Sequence, residues 1–343
     1  MSLQLAVAAA MFAGVLAYAL FGGADFGSGF YDLTAGNSRR GAALRTQVDH
    51  SIGPVWEANH VWLIYVLVVW WTGFPEAFAA AMNTLILPLL FALLGIVLRG
   101  AAFAFRKYAA TLGQARLFGA VFAVSSLITP FFLGAVVGAI ASGRVPIQGR
   151  GDVWGSWLHP TSILGGLMAI GTSAFLAGTF LVADAARARH HDLAAALRVR
   201  TLGVGIVTGA VVLAGLVSLH HDAPTLWDGL LGRSLPLMVL SALAGLATLA
   251  LLWTHRYGLA RLCAVLAVTG VIAGWGVGQY PWLLVDQIRI VDAAGAPATL
   301  QALLVAVGAA VVIVGPALAY LYTLTQSQRW SESSSAPPPG AAT

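Results

Sequence analysis

The sequence predicts an all-α polytopic membrane protein of about nine transmembrane helices, arranged as two four-helix bundles and one extra helix. Its 343 residues are 59% hydrophobic and only 9% charged, against roughly 25% charged in a soluble domain. The mean hydropathy is +0.84. Nine apolar stretches also follow one another, each about 20 residues long, which is the length that spans a ~30 Å hydrocarbon core. A soluble globule of this size would need polar surface that the chain lacks, whereas a bilayer solvates apolar helix exteriors. The low charge also excludes a nucleic-acid binder.

The first stretch, Leu3–Phe21, has no basic segment before it and no small-residue cleavage site after it, so it reads as a retained helix rather than a signal peptide. Ile52–Trp71 opens with Pro54, suited to a first helical turn. Ala77–Leu98, Leu117–Ala141 and Ile163–Val182 follow. Leu202–Leu219 and Leu235–Trp253 read as full spans, with a re-entrant segment as the alternative for either. Leu259–Tyr280 carries the single cysteine, Cys263, read as a small core hydrophobe, and Leu300–Thr323 completes the set. Residues 1–325 thus form one integral membrane unit, and the serine- and proline-rich residues 326–343 read as a flexible tail.

Lysine and arginine sort unevenly between the two sides. The connections after the first, third, fifth and seventh spans, with the tail, hold 14 of the 18 basic residues, and the opposite side holds 4. The positive-inside rule then puts the N-terminus outside and the C-terminus in the cytoplasm. Trp154, Trp157 and Trp282, in the two longest outer connections, read as interfacial anchors. Small residues four apart at Gly23/Gly27, Gly134/Gly138 and Gly270/Gly274/Gly278 permit close helix contact. No P-loop, dinucleotide-binding glycine pattern, hydrolase triad or metal-ligand spacing is present.

Ionisable residues inside a membrane are costly and therefore mark function. Asp25 lies just past the apolar part of the first span and Glu57 about one turn into the second. Antiparallel neighbours of this kind place both carboxyls near the cytoplasmic face, where a partly desolvated carboxyl can load and release protons. His60 follows Glu57 by three residues and is expected on the same face, flanked by Trp56 and Asn59. The pair is either an extension of a proton relay or a hydrogen bond between two buried polar groups. Arg99 and Arg106 close the third span, either snorkelling to headgroups or, for Arg99, pairing with Glu57 or Asp25 and tuning its charge. His50, His159, His190, His191, His220, His221 and His255 fall in loops or at span ends and read as solvated.

The run Ile52-Gly53-Pro54-Val55-Trp56-Glu57-Ala58-Asn59-His60-Val61-Trp62 resembles the second-helix signature of subunit II of cytochrome bd-type quinol oxidases. Gly22-Gly23-Ala24-Asp25-Phe26-Gly27-Ser28-Gly29, Phe74-Pro75, the segment Leu98–Arg106 and Tyr280-Pro281 support it in order and spacing. The resemblance implies a non-haem subunit in the bacterial inner membrane. Its obligate partner is a haem-bearing subunit I that carries haem b and haem d-type groups, and a small accessory subunit is allowed. The complex would oxidise quinol and reduce dioxygen to water. Glu57 and Asp25 match acids of a cytoplasmic proton path, to which His60 is added. Trp56 matches a tryptophan that contacts a structural quinone in some members, and Asn59 and Trp62 share its motif. The chain departs from the family pattern at Gly22 and Ala104, where acids are expected, and at His60, where Glu or Gln is usual. A stand-alone proton- or ion-coupled transporter is the alternative.

Overall fold

A computed structural model describes residues 2–36, 41–52, 56–106 and 108–325, apart from the side chains of His50, Ile52, Trp56, Tyr322 and Thr325. The expected tail, 326–343, lies outside them. Helix α1 (Leu3–Ala17) begins at Ser2, whose side chain accepts from the Leu5 N–H. It runs through a π-helical turn, Tyr18–Gly22, directly into α2 (Gly23–Leu33). The first span is therefore one 31-residue helix, Leu3–Leu33, and not the stretch ending at Phe21. Asp25 lies inside it rather than beyond its end. Apolar counting stopped at Phe21 because the continuation is rich in glycine and carries two acids.

Helix α3 (Ala42–Ile52) occupies what reads as a loop. Helix α4 (Trp56–Gly73) is followed by α5 (Pro75–Thr84) at a bend of 118°. Pro75 supplies no N–H to continue the α4 ladder, so the chain breaks there. The expected span Ala77–Leu98 straddles a further break at Leu85, which ends α5, and the continuous helix beyond it is α6 (Ile86–Arg106). Next come α7 (Leu112–Ala141), α8 (Pro160–Arg187) and α9 (His191–Asp222). They are followed by α10 (Pro224–Leu231), α11 (Leu235–Trp253) and α12 (Tyr257–Gln279). A short antiparallel hairpin, β1 (Trp282–Leu284) and β2 (Ile288–Arg289), precedes α13 (Pro297–Thr325). Helices α9 and α11 are uninterrupted, so neither expected span is re-entrant. Among the described residues, eight helices are long and apolar enough to cross a membrane, or nine if the bent pair α4–α5 counts as one span.

Helix α2 lies against α7 and α8, and α6 against α7. The glycines expected at close contacts are found there. A Cβ on Gly27 would lie 1.9 Å from the Ser173 carbonyl oxygen, and one on Gly134 2.3 Å from that of Gly165. Apolar clusters close both ends of the bundle. One joins Val7, Phe74, Leu85, Ile140, Trp157 and Leu300, the other Tyr31, Val48, Phe103, Phe122, Leu181 and Leu197. Trp157 is thus buried against Phe132, with its Nε1 donating to the Val153 carbonyl, and does not anchor the chain at an interface. Trp154 is exposed, and Trp282 lies beneath the Arg289 guanidinium.

The Gly27 contact is with backbone, which cannot step aside as a side-chain tip can, and overpacking of this kind costs about 1–3 kcal/mol. Gly27→Ala is expected to lower the thermal midpoint of the detergent-purified protein by several degrees. Gly209→Ala, which meets nothing within 4 Å, should leave it unchanged.

Candidate functional site

At mid-bundle the apolar packing gives way to a buried ion pair. An Arg99 terminal nitrogen donates to Asp25 Oδ1 at 2.6 Å, and both side chains are 2% exposed. Arg99 Nε donates to Ser126 Oγ at 3.0 Å, and the guanidinium lies 4.9 Å from the Phe26 ring centre and 5.0 Å from that of Phe122. Three helices build this cage, α2 with Asp25 and Phe26, α6 with Arg99, and α7 with Phe122 and Ser126. Of the two readings of Arg99, the structure shows pairing with Asp25 and excludes snorkelling. Asp25 Oδ2 is buried and has no hydrogen-bond partner among the described residues.

A second acid lies seven residues on, and the sequence reading passed over it. Asp32, 3% exposed, accepts from Arg45 Nε at 2.7 Å and from an Arg106 terminal nitrogen at 2.8 Å, tying α2 to α3 and α6. Arg106 therefore partners Asp32, with Asp49 at 3.8 Å, rather than Asp25 or Glu57. A cavity of about 260 Å³ opens beside this cluster, lined by Asp49, Phe103, Arg106 and Ala115. Seven residues are about two helical turns, so Asp25 and Asp32 share one face of α2 about 10 Å apart. The signal was available in the spacing but hidden by ending the span at Phe21.

The motif on α4 divides between two faces. Glu57 is exposed and continues the uncovered stripe Val61, Ile64, Val68 and Trp71. Asn59 is buried and donates to the Phe21 carbonyl in the π-helical turn at 3.3 Å. His60 points inward, its ring 6.2 Å from Tyr18 and 5.9 Å from Phe26 between centres. Glu57 and His60 thus do not share the inward face that their spacing suggested. Trp62 stacks on Phe21 at 6.3 Å. The Trp56 side chain lies outside the described residues. Among those residues no three His, Cys, Asp or Glu side chains gather as metal ligands.

His159, expected in solvent, is buried at the far end of the bundle. Its Nδ1 lies 3.0 Å from Asp222, which also pairs with Arg144 and accepts from Thr161 Oγ1 at 2.6 Å. Burial holds the His159 imidazole below its ordinary pKa, with the Arg144 charge adding to the effect against the opposing pull of Asp222. This network fastens the loop after α7 to the ends of α8 and α9.

The family model of cytochrome bd terminal oxidase subunit II matches residues 3–325. The chain belongs to the cytochrome bd oxidase subunit II family. Cytochrome bd ubiquinol oxidase subunit 2 of Bacillus subtilis (strain 168) is 30% identical over 148 residues, a match covering 42% of this chain and 43% of that protein. The chain therefore aligns with under half the length of this relative. The structure of bd oxidase from Geobacillus thermodenitrificans superposes with a TM-score of 0.79 at 23% identity, covering 94% of this chain and 98% of that one, which shows the same fold. Within this subunit II fold, the glycine-rich end of the first span brings the Asp25 carboxylate against the Arg99 guanidinium.

Removing one partner of a buried ion pair costs about 3–5 kcal/mol because the other charge stays buried alone. Arg99→Gln is expected to destabilise the detergent-purified protein strongly in thermal unfolding. Adding Asp25→Asn to it should recover part of the loss, and equal losses in single and double variants would show that the two groups are not coupled.

Proposed function

We propose that this chain is the non-haem subunit of a membrane-bound quinol:oxygen oxidoreductase and that it supplies the cytoplasmic proton-uptake path of that complex. The reading rests on family membership, and the observation that carries its proton part is the pair of buried acids, Asp25 and Asp32, on one face of α2. In this reading the partner subunit I carries haem b and haem d-type groups, which supply the electron transfer and oxygen reduction. The chain lies in the bacterial cell membrane with its N-terminus outside and its C-terminus in the cytoplasm, as the 14:4 division of basic residues favours.

The local chemistry follows from what each side chain can hold. The cavity beside Asp49 and Arg106 is the mouth, and Asp32, held by Arg45 and Arg106, lies behind it. Asp25 is the deeper group. Arg99 binds one of its oxygens and leaves the other to accept and release a proton. Glu57 belongs to the path from the other side of α4. A carboxylate facing lipid is costly, so its uncovered stripe favours burial by the partner subunit. Asn59 and Trp62 are structural groups around the π-helical turn, and the quinone contact is assigned to Trp56 by its place in the motif alone. The neutralising arginines keep the buried acids tolerable in the bilayer while the free oxygen of Asp25 keeps one of them usable.

The test is turnover in the intact complex. Asp25→Asn should cut quinol-driven oxygen consumption by at least about tenfold, the scale of a lost proton-transfer group, with haem absorbance unchanged, and Glu57→Gln should also slow it. A fully haem-loaded Asp25→Asn complex that turns over at the parent rate would remove the path from this chain.

A further inference from the structure

The π-helical turn is the one irregularity in the first span, and it brings together polar groups that the ion pair does not use. Single-turn π bulges inside α-helices frequently accompany functional sites. Here the turn begins at Tyr18, whose ring lies against the bare Cα of Gly22; a Cβ there would lie 3.0 Å from the ring carbons. The same ring makes an edge contact with Phe26 at 6.2 Å and a tilted contact with His60 at 6.2 Å, so Tyr18, Phe26 and His60 form one aromatic triangle. Phe26 in turn lies under the Arg99 guanidinium. Both charges of the ion pair, Asp25 and Arg99, lie within electrostatic reach of the Tyr18 phenol and the His60 imidazole.

Two atoms at this place are buried with no hydrogen-bond partner among the described residues, the Tyr18 hydroxyl and Asp25 Oδ2. Buried polar groups in folded proteins are paired with protein or with ordered water, and each orphan costs about 1–3 kcal/mol. A buried water needs two to four polar partners. A phenol, a carboxylate oxygen and an imidazole supply them, since the carboxylate accepts and the phenol does both.

We propose that Tyr18, Asp25 and His60 enclose a water-binding site, and that Tyr18 is a positioning residue which orients this water for proton transfer to Asp25. The transfer part rests on the proton-uptake reading above; the water site does not. A proton arriving at the water moves to Asp25 Oδ2 as the water's own O–H bond breaks. The Tyr18 hydroxyl keeps its proton throughout and fixes the direction in which the water donates. The Gly22 position is part of the device, because a side chain there would displace the Tyr18 ring.

Two measurements on the intact complex test this. A high-resolution cryo-electron-microscopy map should show an ordered water within hydrogen-bond distance of both the Tyr18 hydroxyl and Asp25 Oδ2. An empty space, or a direct Tyr18–Asp25 hydrogen bond, overturns the proposal. Tyr18→Phe should keep the haem absorbance and thermal midpoint of the parent, lose that water, and slow turnover by roughly tenfold with a larger solvent deuterium effect. If Asp25→Asn is slow while Tyr18→Phe keeps the parent rate and isotope effect, the Tyr18 role fails and the Asp25 path stands. If neither variant slows turnover, the proton-uptake reading itself fails, whatever the map shows at the water site.

Discussion

An arginine inside a bilayer-spanning helix is the constraint to which the rest of this molecule conforms. Arg99 is 1% exposed and about seven residues from the end of α6, too deep to be left without compensation in a low-dielectric interior. The fold answers with a carboxylate at 2.6 Å, a serine hydroxyl at 3.0 Å and two aromatic faces. Each requirement sets something else. Asp25 must be brought to α6, which requires α2 to continue the first span inward. Helix α2 must lie close to α7 and α8, which explains why Gly27 and Gly29 have no room for a Cβ. The apolar clusters around it, one holding Val7 and Leu300 and the other Tyr31 and Leu197, then enclose the polar layer.

Much of this was legible in the sequence. Helix α11 runs over the residues expected of it, and α7, α8, α12 and α13 differ only at their ends, because long uninterrupted apolar runs leave little ambiguity about what must be helical in a membrane. The glycine spacing foretold the tight contacts of α2 and α7. What failed did so for physical reasons. Hydropathy sees Gly22 to Asp32 as a loop because glycine and aspartate score as polar, yet in a bundle the glycines buy proximity and the aspartates are neutralised by arginines, Arg99 and Arg106 each 74 residues away and Arg45 13 residues away. The same blindness hid Asp32, and placed His159 in solvent when Asp222 and Arg144 were there to receive it. The Ala77–Leu98 span misled because the break at Leu85, between α5 and α6, is a backbone event that composition does not register.

The chemistry follows the same division. Glu57 and His60, three residues apart, were expected together, but α4 turns one outward and the other inward, and the inward one meets a tyrosine that no motif marked. The chain thus holds several neutralised ion pairs in its interior and one acid on its outer stripe. That arrangement fits the role proposed for it, to hold a partner and deliver protons with the redox groups elsewhere.

The central claim is that Asp25 changes protonation during turnover while Arg99 holds its other oxygen. Infrared difference spectroscopy of the intact complex, triggered by the reaction of the reduced enzyme with oxygen, tests it most directly. The account predicts a carboxyl C=O band that appears or disappears in step with oxygen reduction and is absent in Asp25→Asn. A difference spectrum in that region identical for the parent and Asp25→Asn complexes would contradict it.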